Sequence, residues 1–122
     1  MDDFAVDEQL ANDTVVVGDL ALCRVLLMRD RRYPWAVLAP RIVGAVEIMD
    51  LSPPDRARLI EEIARVSAAL KRLAQPHKIN VGALGNIVRQ LHVHVVAREI
   101  GDEAWPGPVW GSGPALAYGE GE

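Results

Sequence analysis

The chain has a single cysteine, Cys23, among 122 residues, so it can form no internal disulfide. Its setting, Ala21-Leu22-Cys23-Arg24-Val25, reads as a core strand position rather than a reactive thiol. Basic charge is also short: 13 Lys and Arg against 17 Asp and Glu give a net charge of −4. That balance argues against general nucleic-acid binding, where a basic surface is expected to collect phosphates. No apolar stretch approaches the length of a transmembrane helix. The start, Met1-Asp2-Asp3-Phe4, is acidic and has neither the basic nor the apolar region of an export signal. A cytoplasmic protein with no membrane attachment is expected. Histidine is scarce too, with three in the chain, which makes the placing of two of them in one short alternation informative.

What is present is the composition of an ordinary globular protein, 50% hydrophobic and 25% charged, at a length near the commonest domain size. One domain over residues 1–111 is expected, followed by a Gly- and Ala-rich tail, 112–122, expected to be mobile. Residues 4–11 are a candidate short amphipathic helix. Extended segments at 14–17 and 20–28, separated by Gly18-Asp19, read as a hairpin, and a third strand at 35–40 follows the Arg31-Arg32-Tyr33-Pro34 turn. Ser52-Pro53-Pro54-Asp55 then opens the one long helix, with Ser as N-cap, Pro at N1 and Asp in the capping-box position. Leu59, Ile63, Val66, Leu70 and Leu73 repeat at helical spacing through about Ala74, so one face is expected to pack on a sheet. Two more strands follow, one at about 79–84 and one from Gln90. This order gives an α+β fold, an antiparallel sheet with helices on one side.

In Gln90-Leu91-His92-Val93-His94-Val95-Val96 polar and apolar residues alternate strictly, which on a strand sends Gln90, His92 and His94 to one face and Leu91, Val93 and Val95 into a core. Side chains two positions apart on a strand stand about 6.5–7 Å apart, so two imidazoles and an amide can surround one small anionic group. Two other readings stay open at this point. One is a half-buried sheet whose polar face carries histidines. The other is a His-x-His metal site, but the remaining ligand types, His77, Cys23 and Asp30, lack ligand-like spacing, and closed zinc sites take four protein ligands. No metal and no other cofactor is expected.

The run from Gly85 to Arg98, Gly85-Asn86-Ile87-Val88-Arg89-Gln90-Leu91-His92-Val93-His94-Val95-Val96-Ala97-Arg98, resembles the signature of the histidine triad (HIT) family, and Trp105-Pro106-Gly107 downstream matches as well. The resemblance covers roughly residues 21–111. The chain departs from it at the first triad position, where Gln90 stands in place of His. The resemblance implies a sheet of about five strands with one long and one short helix, a homodimer, and a nucleotide-binding enzyme, with adenine the expected base. It would cleave at the α-phosphorus of a nucleoside phosphoramidate or dinucleoside polyphosphate, as hydrolase or transferase, through a nucleotidyl-histidine intermediate. His92 maps onto the nucleophile, His94 onto the last triad residue on the phosphate or leaving-group side, and Gln90 onto the residue that contacts phosphate and bridging oxygens. An amide positions but cannot shuttle a proton. The alternative is therefore a nucleotide-binding regulatory module that has lost efficient chemistry along with the first His.

By the same resemblance, the Gly85-Asn86 turn holds the α-phosphate, Asn80 stands near a position that touches phosphate, and Asp30 resembles the residue that bonds the ribose hydroxyls. From the residues alone, Gly85-Asn86 is an ordinary turn and Arg29-Asp30-Arg31-Arg32 a solvated one. In the tail, Trp105 and Trp110 sit in a rigid Pro/Gly frame and either cover a base by stacking or anchor the tail.

Overall fold

The structure, a computed structural model, describes residues 4–121. Helix α1 (Glu8–Asp13) comes first, then β1 (Thr14–Asp19), β2 (Cys23–Met28) and β3 (Trp35–Pro40), a single 3₁₀ turn at Ile48–Asp50, the long helix α2 (Pro53–Ala74), β4 (Lys78–Gly82) and β5 (Val93–Arg98). The strands form one five-stranded sheet in the order β1-β2-β3-β5-β4, and every pairing is antiparallel. This is the expected α+β arrangement, with one long and one short helix.

The alternation of side chains along the strands divides the interior in two. Leu22, Cys23, Leu38, Val93 and Val95 face α2, where Leu59 is buried and Ile63, Val66 and Leu70 pack against them. Burying a side chain such as Leu59 contributes about 2 kcal/mol. Leu73, expected in the same stripe, is 80% exposed in the last turn of the helix, one residue before it ends. Ser52 caps α2 by accepting the Asp55 N–H at 3.3 Å, and Gln75 closes it in the left-handed region at φ 50°.

Leu26, Trp35, Val37 and Val96 point the other way, where they meet Leu10 of α1, Tyr33 and Val109. The short helix therefore lies on the face opposite α2, not beside it as the sequence suggested. The reason is local: β1 starts directly after α1, Thr14 Oγ1 donates to the Leu10 carbonyl at 2.8 Å, and the one buried residue of α1 is Leu10. Across the α2 face, the buried Glu62 carboxylate accepts the Leu22 and Cys23 N–H groups, both at 2.8 Å, tying the helix to the start of β2. Burial, and then the same carboxylate, push the Cys23 thiol far up, in keeping with an inert core cysteine. Among the described residues no helix is long and apolar enough to cross a membrane.

Candidate active site

Strand β5 starts at Val93, three residues later than the alternation suggests. Leu91 N–H turns to the Ala45 carbonyl at 3.0 Å and not to a neighbouring strand. The alternation survives without the strand: Leu91 stays on the α2 side, while His92 and His94 share the other face with ring centroids 5.0 Å apart. Both histidines are buried, 6% and 5% exposed.

Each imidazole is held through Nδ1, with opposite polarity. His92 Nδ1 lies 2.7 Å from the Gln90 carbonyl, which can only accept, so the proton sits on Nδ1 and the lone pair of the neutral ring on Nε2. His94 Nδ1 lies 2.9 Å from Trp35 Nε1–H, which can only donate, so the proton of His94 sits on Nε2. Sheet register explains the second contact. Val37 pairs with His94 and Trp35 with Val96, so Trp35 is the diagonal same-face neighbour of His94. Burial, and then the proximity of His92, lower the His94 pKa to about 4, so the ring is neutral at physiological pH.

These rings line a cleft of about 560 Å³, with Gly85, Asn86, Asp30 and Trp110 also on its walls. Gly85 adopts φ +79°, which its missing Cβ permits and which turns the chain from the end of β4 past the two rings. Asp30, far from being solvated, is 2% exposed. Its carboxylate takes the Arg32 guanidinium at 2.8 Å and the N–H groups of Arg32 and Leu116 at 3.1 and 3.3 Å. Burial alone would raise the Asp30 pKa, but these hydrogen bonds outweigh it and hold the carboxyl below its ordinary value. Through Leu116 the same turn ties down part of the stretch beyond Gly111.

Three residues singled out from the sequence are not on this cleft. Asn80 accepts Arg98 Nη1 at 2.8 Å, and Trp105 packs edge-on against His77 with its ring under Arg98. Both hold the buried Arg98, which also forks onto Asp102 at 2.7 and 2.8 Å. Gln90 instead lines, with His92 and Gly85, a second hollow of about 400 Å³, and its side chain bonds to the backbone of Ala5 and Asp7. Of the two tail tryptophans it is Trp110 that reaches the cleft, 5.4 Å from the His94 ring. It fits because Gly82, paired with His94, has no side chain: a Cβ there would stand 2.9 Å from the indole. Gly82 within a strand was the sequence signal for that close approach. Trp35 and Arg32 had no such signal. Among the described residues, no three His, Cys, Asp or Glu side chains come together as a metal site needs.

The HIT domain family matches residues 9–101. The chain belongs to the HIT family. It is 51% identical to a histidine triad protein from Sinorhizobium meliloti over 97% of this chain and 87% of that one, with a TM-score of 0.95. A histidine triad protein from Bradyrhizobium japonicum is 49% identical over 95% and 87% of the two chains, TM-score 0.94. A third, from Marinobacter aquaeolei, is 46% identical over 96% and 85%, TM-score 0.94. No curated protein matches the chain. Family and fold together make this a nucleotide-binding protein of the HIT type.

Proposed function

We propose that this HIT protein binds a nucleoside phosphate, with adenine the expected base, and cleaves it at the α-phosphorus as a hydrolase or nucleotidyltransferase. The observation that carries this reading is the opposed polarity of the two buried rings, an Nε2 lone pair on His92 and an Nε2–H on His94, in one cleft. In the first step His92 Nε2 forms a bond to phosphorus while the bond to the leaving group breaks, its electron pair departing with that group. The positive charge that develops on the His92 ring strengthens the Nδ1–H bond to the Gln90 carbonyl. His94, neutral and fixed as the Nε2–H tautomer, donates to a non-bridging phosphate oxygen as charge builds there. Water, or another acceptor, then attacks phosphorus; the P–Nε2 bond breaks with its electron pair returning to His92, and the acceptor's proton leaves to solvent.

Gly85 and Asn86 are the phosphate-holding residues of this reading, and Asp30, on the cleft wall beside Arg32, is the ribose partner. Asn80 and Trp105 hold Arg98 away from the cleft, and Gln90 contributes its carbonyl. A homodimer belongs to the same proposal: β4 is an edge strand with Val81 exposed, and α2 exposes Ile60 and Leu73. The lone buried cysteine is in keeping with a cytoplasmic home.

The test is product chromatography after incubating wild type and His92→Ala with diadenosine tetraphosphate and with adenosine 5′-phosphoramidate. Wild type should release AMP from at least one of them. His92→Ala should release none while its AMP affinity stays within about tenfold, because the lost group acts in the transition state. Binding without turnover by wild type would sink the enzyme reading in favour of a regulatory nucleotide-binding module.

A further inference from the structure

We propose that Gln90 is a positioning residue that latches the N-terminal segment against the cleft, rather than a group that touches the phosphate. The ligand in this proposal is that of the reading above, whereas the latch is a property of the unliganded protein.

Gln90 Oε1 accepts the Asp7 N–H at 2.8 Å and Gln90 Nε2 donates to the Ala5 carbonyl at 2.8 Å, across more than eighty residues of chain. The orientation of the amide is fixed by its partners, since a backbone N–H only donates and a carbonyl only accepts. The carbonyl of one residue and the N–H two positions on point the same way along an extended chain, so the fork of a primary amide meets both, as a neighbouring strand would. An imidazole cannot take its place, because its two nitrogens point apart across the ring.

The latch fixes a wall of the cleft. Asp7 is the N-cap of α1: its Oδ1 accepts the Gln9 N–H at 2.9 Å and its carbonyl accepts the Ala11 N–H at 2.8 Å. From the helix it starts, Gln9, Leu10, Asn12 and Asp13 line the cleft together with Gly85 and Trp110. Val6, between the two latched residues, packs into the cluster that contains Trp35 and Val96. The carbonyl of the same Gln90 sets the His92 tautomer. One residue thus positions both the nucleophile, through its backbone, and the wall that encloses the ligand, through its side chain.

The experiment combines Gln90→Ala with two substitutions at Asp7 in the full chain. Asp7→Ala loses the cap and keeps the N–H, whereas Asp7→Pro loses both. Amide exchange at Asp7 should speed up by about tenfold in Gln90→Ala, and AMP binding, read by calorimetry, should weaken by about three- to tenfold, the worth of one or two neutral hydrogen bonds. Any turnover should show the change in KM more than in kcat. Asp7→Pro should weaken AMP binding more than Asp7→Ala in the wild-type background, and equally with it once Gln90 is Ala. Gln90→His, which installs the residue of the family pattern, should release the segment as Ala does. Unchanged Asp7 exchange in Gln90→Ala overturns the latch whether or not the protein binds or cleaves nucleotides. So does a kcat loss in Gln90→Ala that multiplies with the Asp7→Pro effect, because Gln90 would then act on the ligand directly. Failure of wild type to bind AMP would instead count against the proposed function alone, with Asp7 exchange still deciding the latch.

Discussion

Between pH 7.5 and 4.5, above the range where the carboxylates titrate, acid should destabilise this protein chiefly through His94. Its folded pKa is lowered to about 4 from an ordinary 6.5, because the ring is buried between Trp35 and Trp110 and lies beside His92, while its Nδ1 accepts a hydrogen bond from the Trp35 indole. Between those two values the unfolded chain binds a proton that the folded chain refuses, so the unfolded state gains as the pH falls. Stability is insensitive to this group above about pH 7, declines as the pH drops through 6.5, and stops declining below 4. With those two pKa values the loss is about 1 kcal/mol from pH 7.5 to 5.5 and about 2 to 3 kcal/mol from pH 7.5 to 4.5.

The clean comparison is His94→Gln, whose amide oxygen can still accept from the Trp35 indole but does not titrate. Urea unfolding of both proteins at pH 7.5, 5.5 and 4.5, followed by tryptophan fluorescence, gives the difference. Other titrating groups cancel to the extent that their surroundings are unchanged. The gap between the two proteins should alter by the amounts above, wild type losing more. Parallel curves across the three pH values would refute the reasoning, and with it the claim that His94 stays neutral while His92 does the chemistry.

Two further outcomes follow from the packing. Glu62→Ala should cost about 3 kcal/mol or more in urea unfolding, since it leaves the buried Leu22 and Cys23 N–H groups without an acceptor; a loss under about 1 kcal/mol would mean that water or a backbone shift replaces the carboxylate. Gly82→Ala places a methyl 2.9 Å from the edge of the Trp110 ring, so the indole should shift from its seat beside His94. AMP binding should weaken by several-fold and the tryptophan emission shift to the red, and unchanged emission would show that the tail takes up the methyl by a smaller movement.

The parts of the fold that were legible in the sequence are those written in local chemistry. Strand β3 and helix α2 fall where the apolar run and the Ser52-Pro53 start signal put them, because capping, the fixed φ of proline and a 3.6-residue stripe are decided within a few residues. The side of the sheet taken by α1 was not legible, because six residues carry one buried anchor, Leu10, and no periodicity to orient it. At the site, His92, His94, Gly85 and Asn86 come together as the motif suggests, since an alternating extended chain, which becomes β5 at Val93, and a turn fix them. Asn80 and Trp105 went elsewhere because each found a stronger partner in Arg98, whose guanidinium is supplied by a strand neighbour that no local pattern pairs with them. Asp30, read from the residues alone as one member of a solvated charge run, is buried where the Arg32 guanidinium and the returning chain at Leu116 meet its carboxylate.

Gln90 shows most sharply what a motif does and does not carry. The sequence says that the first position lacks an imidazole and so cannot relay a proton. It does not say that both ends of the amide are engaged by backbone, because the partners, Ala5 and Asp7, lie at the other end of the chain. The proton economy of the site then rests on the two rings that remain. His92 is committed through Nδ1 to a carbonyl, and His94, held neutral, has one proton, on Nε2, already oriented by Trp35. With Nδ1 of each ring engaged, a proton taken from Nε2 of His94 must be returned to that same nitrogen, so His94 serves the phosphate best as a fixed donor. The chemistry of the proposed reaction accordingly falls on the nucleophilicity of His92 and on the quality of the leaving group, and the residue in the first triad position is released to hold the wall of the cleft.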